Sequence, residues 1–180
     1  MSQKELDSVE RGEKALIVSG CVAHTPPTGI IFKNYDPVVC LTSWIATEGR
    51  KEGVVIDFPL ESTSMVVVEP GPYSMNYFFA SKSDGDYVNK YSSQFTDFAT
   101  FYADGGDVIY IGDMNFNLRS SALIAKAISI HDNGAVAKKV LERRYSSKFS
   151  DKLRTRLIKL SPSAIQAKES NDSININFTN

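Results

Sequence analysis

The chain is 180 residues long, with 42% hydrophobic and 23% charged residues and a formal net charge of −1. That length suits one domain with a substantial core, and the near-zero net charge argues against non-specific nucleic-acid binding, which needs a basic surface. No stretch approaches the roughly 18 apolar residues of a membrane-spanning helix, so no transmembrane helix is expected.

In chain order, residues 1–12 (MSQKELDSVERG) are polar, carry no secretory signal and read as a flexible N-terminal segment. Ala15 to Ala23 is a first strand, His24 to Gly29 a turn built on two prolines, and Ile30 to Phe32 a short edge strand. Val38 to Ala46 is a second long strand and holds the only tryptophan, Trp44. Val54 to Phe58, Ser64 to Val68 and Tyr73 to Ala80 follow, the last launched by Pro70–Gly71. Alternation places Tyr73, Met75, Tyr77 and Phe79 on one face of that strand. Ser81 to Ser93 reads as a loop, and Gln94 to Tyr102 and Asp107 to Asp113 as strands joined in a hairpin by Gly105–Gly106. Ser121 to Ile130 fits helix or strand by period, and its β-branched end favours a strand.

The last third changes character. Asp132 caps an amphipathic helix running to about Tyr145, with Val136, Val140, Leu141 and Tyr145 as its apolar stripe. Ser150 caps a second short helix, edged by Leu153, Leu157 and Leu160 and stopped at Pro162. The expected organisation is a flexible segment at 1–12, one domain at 13–162 and a disordered polar tail at 163–180. The expected fold is mainly β: an antiparallel sandwich of about eight strands with one or two C-terminal helices.

Residues able to carry chemistry are few. His24 and His131 are the only histidines, and each lies beside a turn with no zinc-ligand spacing around it. Asp84–Gly–Asp86 and Asp104–Gly–Gly–Asp107 lack the alternating ligands of a calcium loop and read as turns. No nucleophile elbow, phosphate-binding loop or metalloprotease motif is present, so no catalytic, cofactor-binding or metal-binding residue is assigned and no cofactor is expected. Cys21 and Cys40 lie in apolar strands; buried free thiols are the expected state, with a disulfide open to them only if those strands are neighbours. The Asn171 and Asn177 glycosylation sequons read as chance matches in a polar tail.

Two binding surfaces follow from the pattern. Tyr73, Tyr77, Tyr102 and Tyr110 form a candidate aromatic rim for a small-ligand groove. Lys138, Lys139, Arg143, Arg144, Lys152 and Arg156 form a candidate basic contact surface, suited to a protein partner or anionic lipid headgroups.

The order Pro70–Gly–x–Tyr73, an aromatic strand, Gly106–Asp–Val–Ile–Tyr110–Ile–Gly–Asp113 and Ile130–x–Asp132 before a helix resembles a group of small bacterial envelope lipoproteins of unknown function. In that group a PGxY turn and a GDVxYIG strand recur in a transthyretin-like or immunoglobulin-like sandwich, and the likeness spans Ala15 to Leu160. Its motifs mark turns and strand starts, so no functional residue carries over. The resemblance implies export and a lipid-modified N-terminal cysteine, whereas this chain has Met1 and no lipobox; the polar run Ser2–Ser8 is of the kind that follows an anchoring cysteine. The expected function is a non-enzymatic binding or structural module of the bacterial cell envelope, on its periplasmic side. The alternatives are a small-ligand-binding protein and a cytoplasmic location.

Overall fold

The computed structural model describes residues 1–24, 38–48, 53–58, 63–84, 87–94, 99–118, 125–145 and 147–161. The fold is mainly β, with two sheets and three helices among those residues. One sheet takes β1 (Ala15–His24), β4 (Ser64–Val68), β8 (Val108–Leu118), β9 (Ala125–His131) and β10 (Leu153–Thr155). Its order is β10–β8–β1–β4, and β9 pairs the far half of the β8 edge whose near half holds β10. The other sheet runs β11 (Lys159–Leu160), β7 (Ala99–Ala103), β5 (Gly71–Asp84), β2 (Val38–Ala46), β3 (Gly53–Phe58), with β6 (Tyr87–Gln94) on β5.

Among the described residues there are eleven strands where about eight are expected, and they are not all antiparallel: β8 pairs in parallel with both β1 and β10. Much of Ser81–Ser93 is strand rather than loop, since β5 and β6 stay paired up to Asp84 opposite Tyr87. The expected edge strand at Ile30–Phe32 and the polar tail at 163–180 lie outside the described residues.

Three helices, α1 (Gln3–Glu10), α2 (Gly134–Arg144) and α3 (Ser147–Ser150), cover the first sheet. This explains the run Leu16–Ile17–Val18: Ile17 enters the core shared with the second sheet, while Leu16 and Val18 pack against the helices. A strand buried on both faces loses polar alternation. Residues 1–12 are therefore not a flexible lead-in. Ser2 and Glu5 form a reciprocal capping box, and Leu6 and Val9 are buried beside Leu16 and Val108. The Ser2 backbone and hydroxyl hydrogen bonds hold the Glu5 carboxyl below its ordinary range.

The core between the sheets centres on Trp44, whose ring meets Phe101 edge-on at 5.0 Å while Phe101 stacks on Tyr73 at 5.0 Å. The indole Nε1 donates to Thr42 Oγ1 at 2.9 Å, so both buried polar groups are satisfied. Cys21 lies in the same core and is disulfide-bonded, which overturns the free-thiol expectation. The sequence holds one other cysteine, Cys40, as the available intrachain partner.

Two local rules set the registers. Opposite Ser19, β8 spends two residues, Ile111 and Gly112, on one; Gly112 takes φ +101° and its carbonyl accepts from Ser19 Oγ at 2.7 Å. In β5 the register with β2 shifts at Asn76, so Met75 pairs Trp44 on the core side while Tyr77 pairs Ser43. That shift breaks the expected Tyr73–Met75–Tyr77–Phe79 face.

The Asp104–Gly105–Gly106–Asp107 turn is not a hairpin either. It carries the chain from β7 in one sheet to β8 in the other. Asp107 N donates to Asp104 O at 3.1 Å, and Asp104 N donates to Asp107 Oδ2 at 3.0 Å. Gly106 N bonds Lys14 O at 2.8 Å, pinning the turn to the α1–β1 corner. Residues 153–160, expected as a helix, are extended: β10 and β11 each add to a sheet edge, and Arg156 N and Ile158 N bond Tyr110 O and Ile111 O.

Candidate functional site

The Pro70–Gly71–x–Tyr73 element has a structural purpose. Gly71 takes φ +141°, and the Tyr73 hydroxyl folds back to donate to Glu69 O at 2.9 Å, locking the entry of β5. Tyr73 is thus committed to the core. The other candidate groove residues lie elsewhere. Tyr110 is fully buried beneath α2 on the far face of the first sheet, and Tyr102, 48% exposed, points away from the core between Phe101 and Ala103. Tyr77 lies half-buried beyond the β5 shift. The structure does not bring these four tyrosines together.

The basic candidates divide in two. Lys138, Lys139 and Arg143 lie on the exposed side of α2, whose opposite side buries Ala137 and Leu141. Lys138 pairs with Asp151 at 3.4 Å, which brings the turn carrying exposed Lys152 to the same surface. Arg144 turns away and donates to Thr63 O at 3.5 Å. Arg156 is a fastener, donating to Asp107 Oδ2 at 3.1 Å and Tyr102 O at 3.0 Å and so holding the inter-sheet turn. The apolar stripe of α2 also differs from expectation, since Val136 is 56% exposed and joins the outer, cationic side.

A polar cluster that the sequence did not single out lies where β8, β9 and α2 meet. The extra residue at Gly112 turns Asp113 to the helix side, over Gly20; a Cβ on Gly20 would fall 2.6 Å from Asp113 Cγ. Tyr110 OH donates to Asp113 Oδ1 at 2.7 Å and accepts from Asn133 N at 3.1 Å. Asn133 Nδ2 donates to Asp113 Oδ2 at 2.7 Å, so the helix N-cap residue makes no cap bond with its side chain, and Asp132 Oδ1 accepts from Gly134 N instead. Burial, with the Asp113 hydrogen bond next, pushes the Tyr110 phenol well above its ordinary range. It stays neutral and acts as a fixed donor.

Beside this latch, Ser129 Oγ and His131 Nε2 are 2.8 Å apart. Asp113 is the cross-strand neighbour of His131, and its oxygens accept from Tyr110 and Asn133. Among the described residues the His131 ring bonds Ser129 and makes no hydrogen bond to Asp113. Among the described residues, no group of three or more His, Cys, Asp or Glu side chains is arranged to hold a metal ion. No helix among them is long and apolar enough to cross a membrane.

The latch makes a specific prediction. Tyr110→Phe leaves Asp113 Oδ1 and Asn133 N without a partner and should cost about 1–3 kcal/mol in urea unfolding. Ser129→Ala, whose hydroxyl bond is exposed, should shift stability by less than about 0.5 kcal/mol.

No protein-family model matches the chain, and no curated protein matches it in sequence. Among solved structures, a leucine-rich repeat protein from Bacteroides thetaiotaomicron is similar at 9% identity and a TM-score of 0.38, over 73% of this chain and 16% of that one. This chain thus corresponds to a small part of that protein's length.

Proposed function

We propose that this protein is a non-enzymatic binding or structural module of the bacterial cell envelope. Its two sheets pack face to face as a sandwich of mostly antiparallel strands, and the helices over one sheet supply the contact surface. The disulfide at Cys21 carries the localisation, because structural disulfides persist in oxidising compartments and are rare in the cytosol. The resemblance of the PGxY and GDVxYIG elements to envelope lipoproteins points the same way.

The binding surface is the outer side of α2. Lys139 and Arg143 are exposed there without an ion-pair partner among the described residues, and exposed Val136 lies alongside them. Cations beside an apolar group suit acidic protein surfaces or anionic headgroups. The non-catalytic reading is supported by the place of Asp113 in the latch, where it accepts from Tyr110 and Asn133, while the His131 ring bonds Ser129.

Fractionation of the native protein with mass analysis of its N-terminus tests the location; recovery in the cytosol with Cys21 reduced would overturn it. Flotation with vesicles containing about 30% anionic lipid at low and physiological salt tests the surface. Lys139→Glu/Arg143→Glu should abolish any binding that wild type shows. Wild-type flotation unaffected by that double change would remove α2 from the interface, and its absence would leave acidic proteins as the partner class.

A further inference from the structure

We propose that Asn133–Gly134 is a self-modification site: its deamidation requires the start of α2 to open, and the product then keeps the Tyr110–Asp113–Asn133 latch from closing again. It is the chain's one Asn–Gly dipeptide. In that pairing the side-chain amide is most readily attacked by the following backbone nitrogen, because glycine has no side chain to hinder the approach. The fold itself calls for both residues. Asn133 Nδ2 donates to Asp113 Oδ2 at 2.7 Å, and a Cβ on Gly134 would lie 2.9 Å from Thr155 Oγ1 and 3.1 Å from Asp132 Oδ1.

In the reaction Gly134 N gives up its proton to solvent and bonds to Asn133 Cγ, and the amide nitrogen leaves as ammonia. Water then opens the cyclic imide at one carbonyl or the other, giving aspartate or isoaspartate. Ring closure demands that Gly134 N eclipse Cβ about the Asn133 Cα–C bond. At the observed ψ of 31° it stands nearly opposite Cβ instead. Rotation about that bond is resisted on both sides. Asn133 N donates to Tyr110 OH at 3.1 Å, while Asn133 O accepts from Val136 N at 2.8 Å and Ala137 N at 3.1 Å. Gly134 N is itself donated to Asp132 Oδ1 at 2.9 Å. The closed latch therefore withholds the reaction, and local opening of the first turn of α2 admits it. The change runs one way. A carboxylate at position 133 puts an acceptor where Nδ2 donated, so like charges meet across the former bond to Asp113, with Asp132 next in the chain. Isoaspartate also adds a backbone atom ahead of the carbonyl that starts α2.

Peptide mapping by mass spectrometry after incubation at mildly alkaline pH reads the conversion of Asn133 directly. With the chain unfolded in urea, Asn133 should convert faster than any other asparagine; in native buffer it should convert at least about tenfold more slowly. Tyr110→Phe removes the bond from Asn133 N and one bond to Asp113, and should raise the native rate about three- to tenfold while leaving the urea rate unchanged. Asn133→Asp, which installs the product outright, should lower the urea unfolding midpoint. Equal rates in native buffer and urea overturn the proposal, as does an Asn133 that stays intact in urea. A native rate that Tyr110→Phe leaves unchanged overturns it by removing the latch as the guard. An Asn133→Asp midpoint no lower than that of wild type overturns it by showing that the latch closes over the product.

Discussion

Gly105→Ala should destabilise the protein by at least about 2–3 kcal/mol, more than the same change at Gly106. A Cβ on Gly105 would lie well inside van der Waals contact distance of the Gly12 carbonyl oxygen and 3.1 Å from Gly12 C. Both are backbone atoms, and neither can rotate away. The corner cannot open to relieve the clash, because Gly106 N is bonded to Lys14 O and Leu16 N to Asp107 O, each at 2.8 Å. Arg156 clamps the other side of the turn through Asp107 and Tyr102 O. Gly106 is the reverse case. Its φ of +85° disfavours any L side chain, but the nearest atom to its Cβ is 3.5 Å away. Gly106→Ala should therefore cost only the conformational penalty, about 1–2 kcal/mol. Urea denaturation of both variants measures the order. Equal effects, or Gly106→Ala the worse, would mean that the turn yields at Gly12.

That ordering shows where sequence reading stops. Gly105–Gly106 marks a turn, but whether the next strand returns to the same sheet depends on what the other end of the turn meets, and here it meets the α1–β1 corner. Strands with strong β-branched or aromatic content, such as those around Leu16–Val18, Val39–Ile45 and Ile109–Ile111, were legible because burial dictates their composition. The helix at residues 3–10 was legible in principle through Ser2–x–x–Glu5, yet with only Leu6 and Val9 as buried apolar residues its signal is weak. Leu153, Leu157 and Leu160 have helical spacing, but the segment is drawn out as strand by open edges on β8 and β7 that no local pattern reveals. The polar latch escaped for a similar reason. Its alignment requires the extra residue at Gly112, which turns Asp113 toward Tyr110 and Asn133. Tyr77 left the expected groove through the same kind of one-residue shift, at Asn76.

Removal of the disulfide should lower stability by about 3 kcal/mol, with a range of about 2–5. The two cysteines are 19 positions apart (40 − 21), so the bridge closes a loop of moderate length in the unfolded chain. On chain-entropy grounds, closing a loop near that size removes about 3 kcal/mol of unfolded-state freedom. The native side of the balance is also exposed to loss. Cys21 is only 3% exposed and shares the core with Trp44, so sulfur removal takes away contacts at the junction of the sheets. Cys21→Ala/Cys40→Ala, unfolded in urea beside the oxidised and reduced wild type, separates these two contributions. Reduction alone reports the covalent link, and the further loss in the double variant reports packing. Alkylation of the unfolded oxidised chain should modify no cysteine, and alkylation after reduction both. A urea midpoint that reductant does not move, in a chain alkylated without reduction, would show that the thiols are free. It would also remove the main support for an oxidising compartment, and with it the reason to seek this protein's partner in the envelope.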